Sequence, residues 1–136
     1  EEEEEIIDDS QIKARNIYVV LVNAKDQLLV EEELMDISQL REGAKGFLNN
    51  WGKNPDLSDS PLKAIISLQN DRGTSYEMYI KVQNELSAAY RELRDAEAQR
   101  KFGVFYAELE GDLKKEVRKM YPQKISEAEP KKMGGN

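Results

Sequence analysis

Residues 64–103 decide the fold, and they read AIISLQNDRGTSYEMYIKVQNELSAAYRELRDAEAQRKFG. Apolar and polar residues alternate from Leu62 to Gln69, which indicates a strand with one buried face. Residues 70–73, NDRG, favour a tight turn, because Asn and Asp bond their own backbone and Gly accepts a positive φ. A long helical pattern follows. The stretch therefore predicts a strand, a turn and a helix in succession.

The predicted helix begins at a capping box, with Thr74 as the cap and Glu77 as the third helical residue. Apolar residues then recur at spacings of three and four, which predicts one stripe packed on a sheet, with a cofactor or peptide groove as the alternative. The stripe consists of Tyr76, Tyr79, Ile80, Val82, Leu86, Ala89, Tyr90, Leu93 and Ala96. Ion pairs Glu77–Lys81 and Glu97–Lys101 are expected on the solvent side of this helix.

Two strand patterns precede this stretch. Residues 16–23, NIYVVLVN, are β-branched and aromatic and are apolar on both faces. Such a strand is expected either in the centre of a sheet under helices or in contact with a second subunit. Residues 24–27 favour a hairpin loop, and residues 28–31 then return as a short antiparallel partner. We predict that a β-hairpin opens the domain.

A first helix is predicted after the hairpin. Asp36 is its expected cap, Gln39 completes a capping box, and the helix runs to about Asn50. Gly43 and Gly46 lower its intrinsic stability, so they either permit close packing or are simply tolerated. We expect this helix to lie on the sheet beside the long one.

The C-terminal part contains a third helical pattern. It covers residues 102–120, is interrupted at Gly111 with Asp112 as a new cap, and ends before Pro122. Residues 123–127 form a weak pattern for a short edge strand. An extra C-terminal helix is therefore expected beyond the two main ones.

Together these elements predict an α+β fold. It is a small mixed β-sheet with two main helices packed on one face, in the order β-β-α-β-α-(α)-β, plus the extra C-terminal helix. A chain of 136 residues suits one compact domain, which we place at residues 14–130. Residues 1–13 are predicted to be an acidic linker and residues 131–136 a disordered tail.

Composition excludes several classes of function. The net charge of -7 argues against nucleic-acid binding, which needs clustered Lys and Arg. The absence of Cys and His excludes disulfides, cysteine-based zinc sites and imidazole triads. No apolar run approaches the roughly 20 residues of a membrane span. We predict no catalytic residue, cofactor or metal, the alternative being an enzyme that uses carboxylates such as Asp71 and Glu77.

Several segments resemble the periplasmic domain of the ExbD/TolR family of biopolymer-transport proteins. Residues 66–76, ISLQNDRGTSY, place Asp71 and Tyr76 on the family's Asp and Tyr. KDQLLV and ISQL, which begin at positions 25 and 37, resemble the family's hairpin and first helix. The C-terminal part up to position 130 is similar to the long form of ExbD in Bacteroidetes-like members, although its extra helix exceeds the compact family domain.

The resemblance implies an accessory subunit of a proton-motive-force-driven inner-membrane motor of the ExbB–ExbD–TonB type, which energises outer-membrane transport. It implies a homodimer on the periplasmic side of the inner membrane, with ExbB-like and TonB-like partners. A single anchor helix with its proton-carrying Asp would lie upstream of this chain, which begins at Glu1 rather than at Met. The alternatives are a soluble adaptor that binds a partner helix through residues 102–120, and a TolR-like cell-wall-binding domain.

The expected contact residues follow from the two-faced apolar strand. An extended partner or a second subunit can pair with a strand through its backbone, with little side-chain specificity. The candidate dimer and partner contacts are Ile17, Val19, Leu21 and Val22. Asp71 and Tyr76 are the expected turn and cap residues of the family motif.

Overall fold

The computed structural model of the chain describes residues 12–127. Most of the predicted linker and the whole predicted tail lie outside these residues. The described elements are β1 (Ile17–Val22), β2 (Leu28–Val30), β3 (Glu33–Met35), α1 (Leu40–Leu48), β4 (Ile65–Asn70), α2 (Tyr76–Phe102), α3 (Gly111–Met120) and β5 (Ile125–Glu127). They form an α+β fold with a mixed five-stranded sheet, which confirms the predicted fold class.

The sheet has the strand order β3-β2-β1-β4-β5. The β1–β2 and β2–β3 pairs are antiparallel, whereas β1–β4 and β4–β5 are parallel. The hairpin β1–β2 and the late edge strand β5 are therefore confirmed. β3 was not predicted. It follows β2 through Glu31 and Glu32, which have φ values of 51° and 71° and form a two-residue turn of type I′.

One face of the sheet is packed under α1 and α2. Along β1 the burial alternates, so Tyr18, Val20 and Val22 are buried while the residues between them are only half-buried. The buried side chains form one core with apolar residues of both helices, among them Phe47 and Leu86. The amphipathic faces of the helices thus meet the sheet on a single side, as expected for a two-layer domain.

The start of α1 follows the prediction closely. Asp36 Oδ1 accepts a hydrogen bond from the Ser38 backbone N–H at 2.9 Å, and the Asp36 backbone N–H donates to Gln39 Oε1 at 3.4 Å. This capping box opens a short 3-10 turn that continues into the helix. The helix ends at Leu48, slightly earlier than predicted.

The start of α2 differs from the prediction. Ser75, rather than Thr74, is the cap, because Ser75 Oγ accepts from the Met78 backbone N–H at 3.1 Å. The Thr74 hydroxyl instead donates to the carbonyl of Val22 at 3.1 Å, which holds the helix start against the end of β1. Tyr76 lies at the first helical position with 77% of its surface exposed, so it does not belong to the apolar stripe.

Two further predictions are wrong in detail. The alternation of β4 begins at Ile65, and Leu62 lies in the preceding turn with 49% exposure. Glu97 is 8% exposed and pairs with Arg100 at 2.6 Å rather than with Lys101. The other expected ion pair, from Glu77 to Lys81, is present at 3.7 Å.

The third helical pattern is only half correct. α2 ends at Phe102 and is capped by Gly103, whose φ of 73° is the left-handed conformation that glycine adopts easily at a helix C-terminus. The next residues form an irregular segment with a 3-10 turn, and α3 begins only at Gly111. Asp112 lies in the first turn of α3 and is not its cap. α3 ends before Pro122, as predicted.

The two glycines of α1 have different roles, which a pair of substitutions should reveal. A Cβ at Gly43 would lie 2.7 Å from Tyr18 Oη, whereas a Cβ at Gly46 would have no neighbour within 4 Å. We expect Gly46→Ala to raise the free energy of unfolding by about 1 kcal/mol through helix propensity. We expect Gly43→Ala to lower it by about 1–2 kcal/mol, because the Tyr18 ring stacks on Phe47 and cannot move freely. Urea unfolding followed by circular dichroism measures both changes, and equal effects would contradict this assignment.

Candidate interaction surface

In residues 12–127 no helix packs on the second face of the sheet. The side chains that alternate with the core residues of β1 point to this side, and the strand register places residues of β2 and β3 beside them. Leu21 pairs with Leu29 and Leu29 pairs with Leu34, so the three form one row across three strands. We call the exposed apolar surface on this side the open face, and it consists of Ile17, Val19, Leu21, Leu29 and Leu34.

The open face is apolar although nothing in the described part of the chain packs on it as a layer. None of its five residues belongs to the core under the helices. Four of them are half-buried by their neighbours in the sheet, and Leu34 is 68% exposed. A solvated sheet face normally carries polar residues at these positions. An exposed apolar patch of this kind is typical of a surface that another molecule covers.

Three of the four predicted contact residues lie on the open face, namely Ile17, Val19 and Leu21. Val22 does not, because it is fully buried on the helix-covered side. β1 is also the central strand, with β2 on one edge and β4 on the other. The prediction that the backbone of β1 pairs with a second subunit or an extended partner is therefore wrong. Its outer side chains can contact another molecule only through the face of the sheet.

Among the described residues, β3 and β5 are the edge strands of the sheet, and each has one strand neighbour there. The β3 edge is short and begins at an acidic turn, where Glu31 curls back so that its Oε2 accepts from the Val19 backbone N–H at 2.7 Å. Like charges at an edge discourage strand addition. β5 has only one acidic side chain, Glu127, and that carboxylate is held by Tyr79 and Gln83. The hydrogen bond from the Tyr79 hydroxyl to Glu127 raises the pKa of Tyr79 to about 12.

The orientation of the β5 backbone follows from one ladder hydrogen bond. The Ile66 backbone N–H donates to the carbonyl of Lys124 at 3.0 Å. In a parallel ladder alternate residues turn the same way, so the N–H of Ser126 faces β4. The N–H groups of Ile125 and Glu127 then face away from the sheet. β5 thus presents outward backbone N–H groups, and the Glu127 side chain beside them is already hydrogen-bonded to Tyr79 and Gln83.

Asp71 and Tyr76 line one cleft of about 490 Å³ together with the turn between them, Tyr79 and Glu127. The Asp71 backbone N–H donates to the carbonyl of Val22 at 2.9 Å, so the turn is attached to the end of β1. The Oδ1 atom of Asp71 is shielded from solvent and has no hydrogen-bond partner in the described part of the chain. The motif residues are thus brought together at the end of β4, in a cleft that also borders β5.

Sequence reasoning missed Asp26, which links the first hairpin to α2. Its Oδ1 accepts from the Ser75 backbone N–H at 2.8 Å, and this bond holds the pKa of Asp26 below its ordinary value. Asp26 has a φ of 59°, which Asp tolerates better than most residues. Ser75 lies 49 positions from Asp26 in the sequence, so no local pattern indicates the contact.

The carboxylates of the alternative enzyme hypothesis occupy separate environments. Glu77 is exposed in the first turn of α2 and pairs with Lys81, whereas Asp71 lies in the turn before it. Residues 12–127 contain no group of three or more His, Cys, Asp or Glu placed to hold a metal ion. Over the same residues, no helix is both long and apolar enough to cross a membrane.

Comparison with known proteins adds no relative: the chain matches no protein-family model and no curated protein.

Proposed function

We propose that this chain is the periplasmic domain of an ExbD-like accessory subunit of a proton-driven inner-membrane motor. In this role it binds an extended segment of a TonB-like partner. The resemblance of the hairpin, the first helix and the Asp71–Tyr76 motif supports the family assignment. Apart from the added strand β3 and helix α3, the order of strands and helices is the one that the resemblance implies. The work of such a domain is partner binding rather than chemistry.

The observation that carries this proposal is the free edge of β5. An extended peptide adds to a sheet through main-chain hydrogen bonds, and it needs an edge with outward donors and acceptors. β5 offers the N–H groups of Ile125 and Glu127, whereas β1 is occupied on both sides. The Asp71 cleft lies beside this edge and can receive a side chain of the added strand.

Two variants of one residue test the edge directly. Glu127→Pro removes the outward N–H, whereas Glu127→Ala removes the same contacts to Tyr79 and Gln83 but keeps the N–H. We expect Glu127→Pro to weaken binding of a periplasmic TonB-type fragment by about tenfold or more. Glu127→Ala should bind within about threefold of the unmodified chain.

The measurement is a titration followed by amide chemical shifts of the labelled chain. Binding at β5 predicts the largest changes at Ile125 and Glu127 and small changes at Leu34 on the opposite edge. Equal affinities of the two variants, or shifts confined to β3, would contradict the proposal. Absence of any binding would contradict it as well.

The adaptor alternative has one observation in its favour. Phe105 is 54% exposed and Leu113 is 46% exposed, and both lie between the end of α2 and the end of α3. A partner helix could pack on such residues. The same titration separates the two functions, because the adaptor predicts shifts in this segment instead of β5.

A further inference from the structure

The Asp71 cleft contains acceptor oxygens that have no donor in the described part of the chain. Asn70 Oδ1 and Asp71 Oδ1 are both shielded from solvent, and neither has a hydrogen-bond partner in residues 12–127. Within the same residues no lysine or arginine forms an ion pair with Asp71, which is half-buried. Shielded polar atoms are normally hydrogen-bonded, and a carboxylate in such a place is costly without a partner. Two such acceptors in consecutive residues therefore indicate a donor that the described residues do not supply.

The charge of the Asp71 cleft favours a cation as that donor. Its lining includes two carboxylates, Asp71 and Glu127, and one guanidinium, Arg72, which is exposed on the turn. The Glu127 carboxylate accepts from two neutral groups, the Tyr79 hydroxyl and the Gln83 amide, which leave its negative charge in place. An anion would therefore meet two negative groups against one positive group, whereas a cation would meet the reverse.

The start of α2 also borders the cleft, and a helix N-terminus usually attracts anions. Here two of its donors are already occupied. The Ser75 backbone N–H donates to Asp26 Oδ1 at 2.8 Å, and the Met78 backbone N–H donates to Ser75 Oγ at 3.1 Å. The Asp26 carboxylate supplies the negative charge that this helix end favours. The helix start therefore does not reverse the preference of the cleft for a cation.

The Asp71 cleft and the β5 edge share one residue, Glu127. The register places Glu127 beside Leu68, which belongs to the core under the helices, so the Glu127 side chain lies on the helix-covered side of the sheet. A strand added to β5 has every second side chain on that side as well. The residue of the added strand next to Glu127, or the one two positions further along, then points toward the cleft.

The distance from the added strand to Asp71 requires a long side chain. Asp71 follows β4, which is two strands away from the added one, and two strand spacings are roughly 10 Å. Serine, threonine and asparagine are too short for this separation. Lysine and arginine carry a charged donor at the end of a long apolar stem, and that stem can pack on Tyr76 and Tyr79 of the lining.

We propose that the Asp71 cleft takes a lysine or arginine side chain from the extended segment that adds to β5, and that this cation pairs with Asp71. The inference rests on the proposed function, because it names the side chain that the partner places beside the edge. It adds specificity to backbone pairing, which by itself depends little on the sequence of a partner. The charged pair also makes the binding dependent on salt.

Asp71→Asn tests this pair in the full 136-residue chain. It removes the charge and keeps the size and the turn preference of the residue. Glu77→Gln is the matched control, because it also removes one negative charge, but Glu77 is exposed and lies outside the lining. The probe is the periplasmic TonB-type fragment, used unmodified and as variants in which each lysine or arginine in turn is replaced by glutamine. Calorimetric titration gives the affinities at low and at high salt.

We expect Asp71→Asn to weaken binding of the fragment by about tenfold, and Glu77→Gln to weaken it by less than about twofold. One substitution in the fragment should cost about tenfold with the unmodified chain and little with Asp71→Asn, which identifies the paired cation. The affinity of the unmodified chain should also fall more steeply with salt than that of Asp71→Asn.

Equal affinities of the unmodified chain and Asp71→Asn, together with amide shift changes at Ile125 and Glu127, would overturn this inference and leave the edge proposal standing. No binding by the unmodified chain would overturn both. Thermal unfolding without the fragment detects a merely structural role. Because the Asp71 carboxylate has no partner in the described residues, Asp71→Asn should not lower the unfolding midpoint. A clear drop in that midpoint would also overturn the inference.

Discussion

Phe47→Ala is expected to lower the free energy of unfolding by about 3–5 kcal/mol. Phe47 is 2% exposed, and its ring stacks on Tyr18 with centroids 4.7 Å apart. It connects α1 to the central strand, so its removal leaves a cavity at the junction of helix and sheet. The interior is close-packed and refills such a cavity only in part. Urea unfolding followed by circular dichroism gives the change.

Phe105→Ala is the control for this prediction. The same atoms are removed, but Phe105 is 54% exposed and lies outside the core, so a change of about 0.5 kcal/mol or less is expected. Similar losses for both variants would mean that the residue type rather than its position determines the effect. That result would contradict the packing described for α1.

Arg94→Met is expected to cost about 2–4 kcal/mol and to loosen the C-terminal segment first. Arg94 is 3% exposed, and its Nε and Nη2 atoms donate to the carbonyl of Tyr121 at 3.0 and 2.8 Å. The guanidinium also lies over the ring of Tyr106, 5.5 Å from its centroid. Methionine fills a similar volume but leaves a buried carbonyl without these donors.

The single tryptophan reports this loosening. Asn49 Oδ1 accepts two hydrogen bonds, one from Tyr121 Oη at 2.8 Å and one from Trp51 Nε1 at 2.8 Å. Movement of Tyr121 should therefore change Trp51 fluorescence before the sheet unfolds. Arg91→Met is the control, because Arg91 is exposed on the preceding turn and should change stability by less than about 0.5 kcal/mol. Coincident loss of fluorescence and circular dichroism signals in Arg94→Met would contradict a local effect.

Hydrophobic periodicity and helix-cap patterns were sufficient to predict the elements that are long or whose defining contacts lie between nearby residues. The alternation in β1 and β4, the apolar stripe of α2 and the capping box of α1 each depend on neighbours within four residues. The sequence did not predict β3, because this strand has only three residues and the turn before it consists of two glutamates, Glu31 and Glu32. A turn of this type normally carries Asn or Gly, so the sequence contained no signal for it.

The C-terminal helical pattern was misleading for a different reason. Phe105, Tyr106 and Leu109 have helical spacing, but Gly103 ends α2 and the next residues are irregular. Their contacts come from elsewhere, as when Asp95 Oδ1 accepts from the Tyr106 backbone N–H at 3.0 Å. Spacing alone does not distinguish a helix from a segment that docks on one.

The open face was only partly predictable. Ile17, Val19 and Leu21 follow from the apolar character of β1 on both sides. Leu29 and Leu34 join them only through the register of β2 and β3, which the sequence does not contain. Likewise, the burial of Val22 depends on which face receives the helices. The sequence of one strand indicates some of the side chains on a surface, but the extent of that surface depends on how the strands pair in the sheet.

The most direct test of the β5 edge as the partner site is an amide hydrogen-exchange experiment on the labelled chain, with and without a periplasmic TonB-type fragment. We predict that the fragment slows exchange of the outward N–H groups of Ile125 and Glu127 and leaves Leu34 on the opposite edge unchanged. Slowed exchange confined to β3 or α3, with no change at Ile125 and Glu127, would contradict the edge pairing on which this account is based.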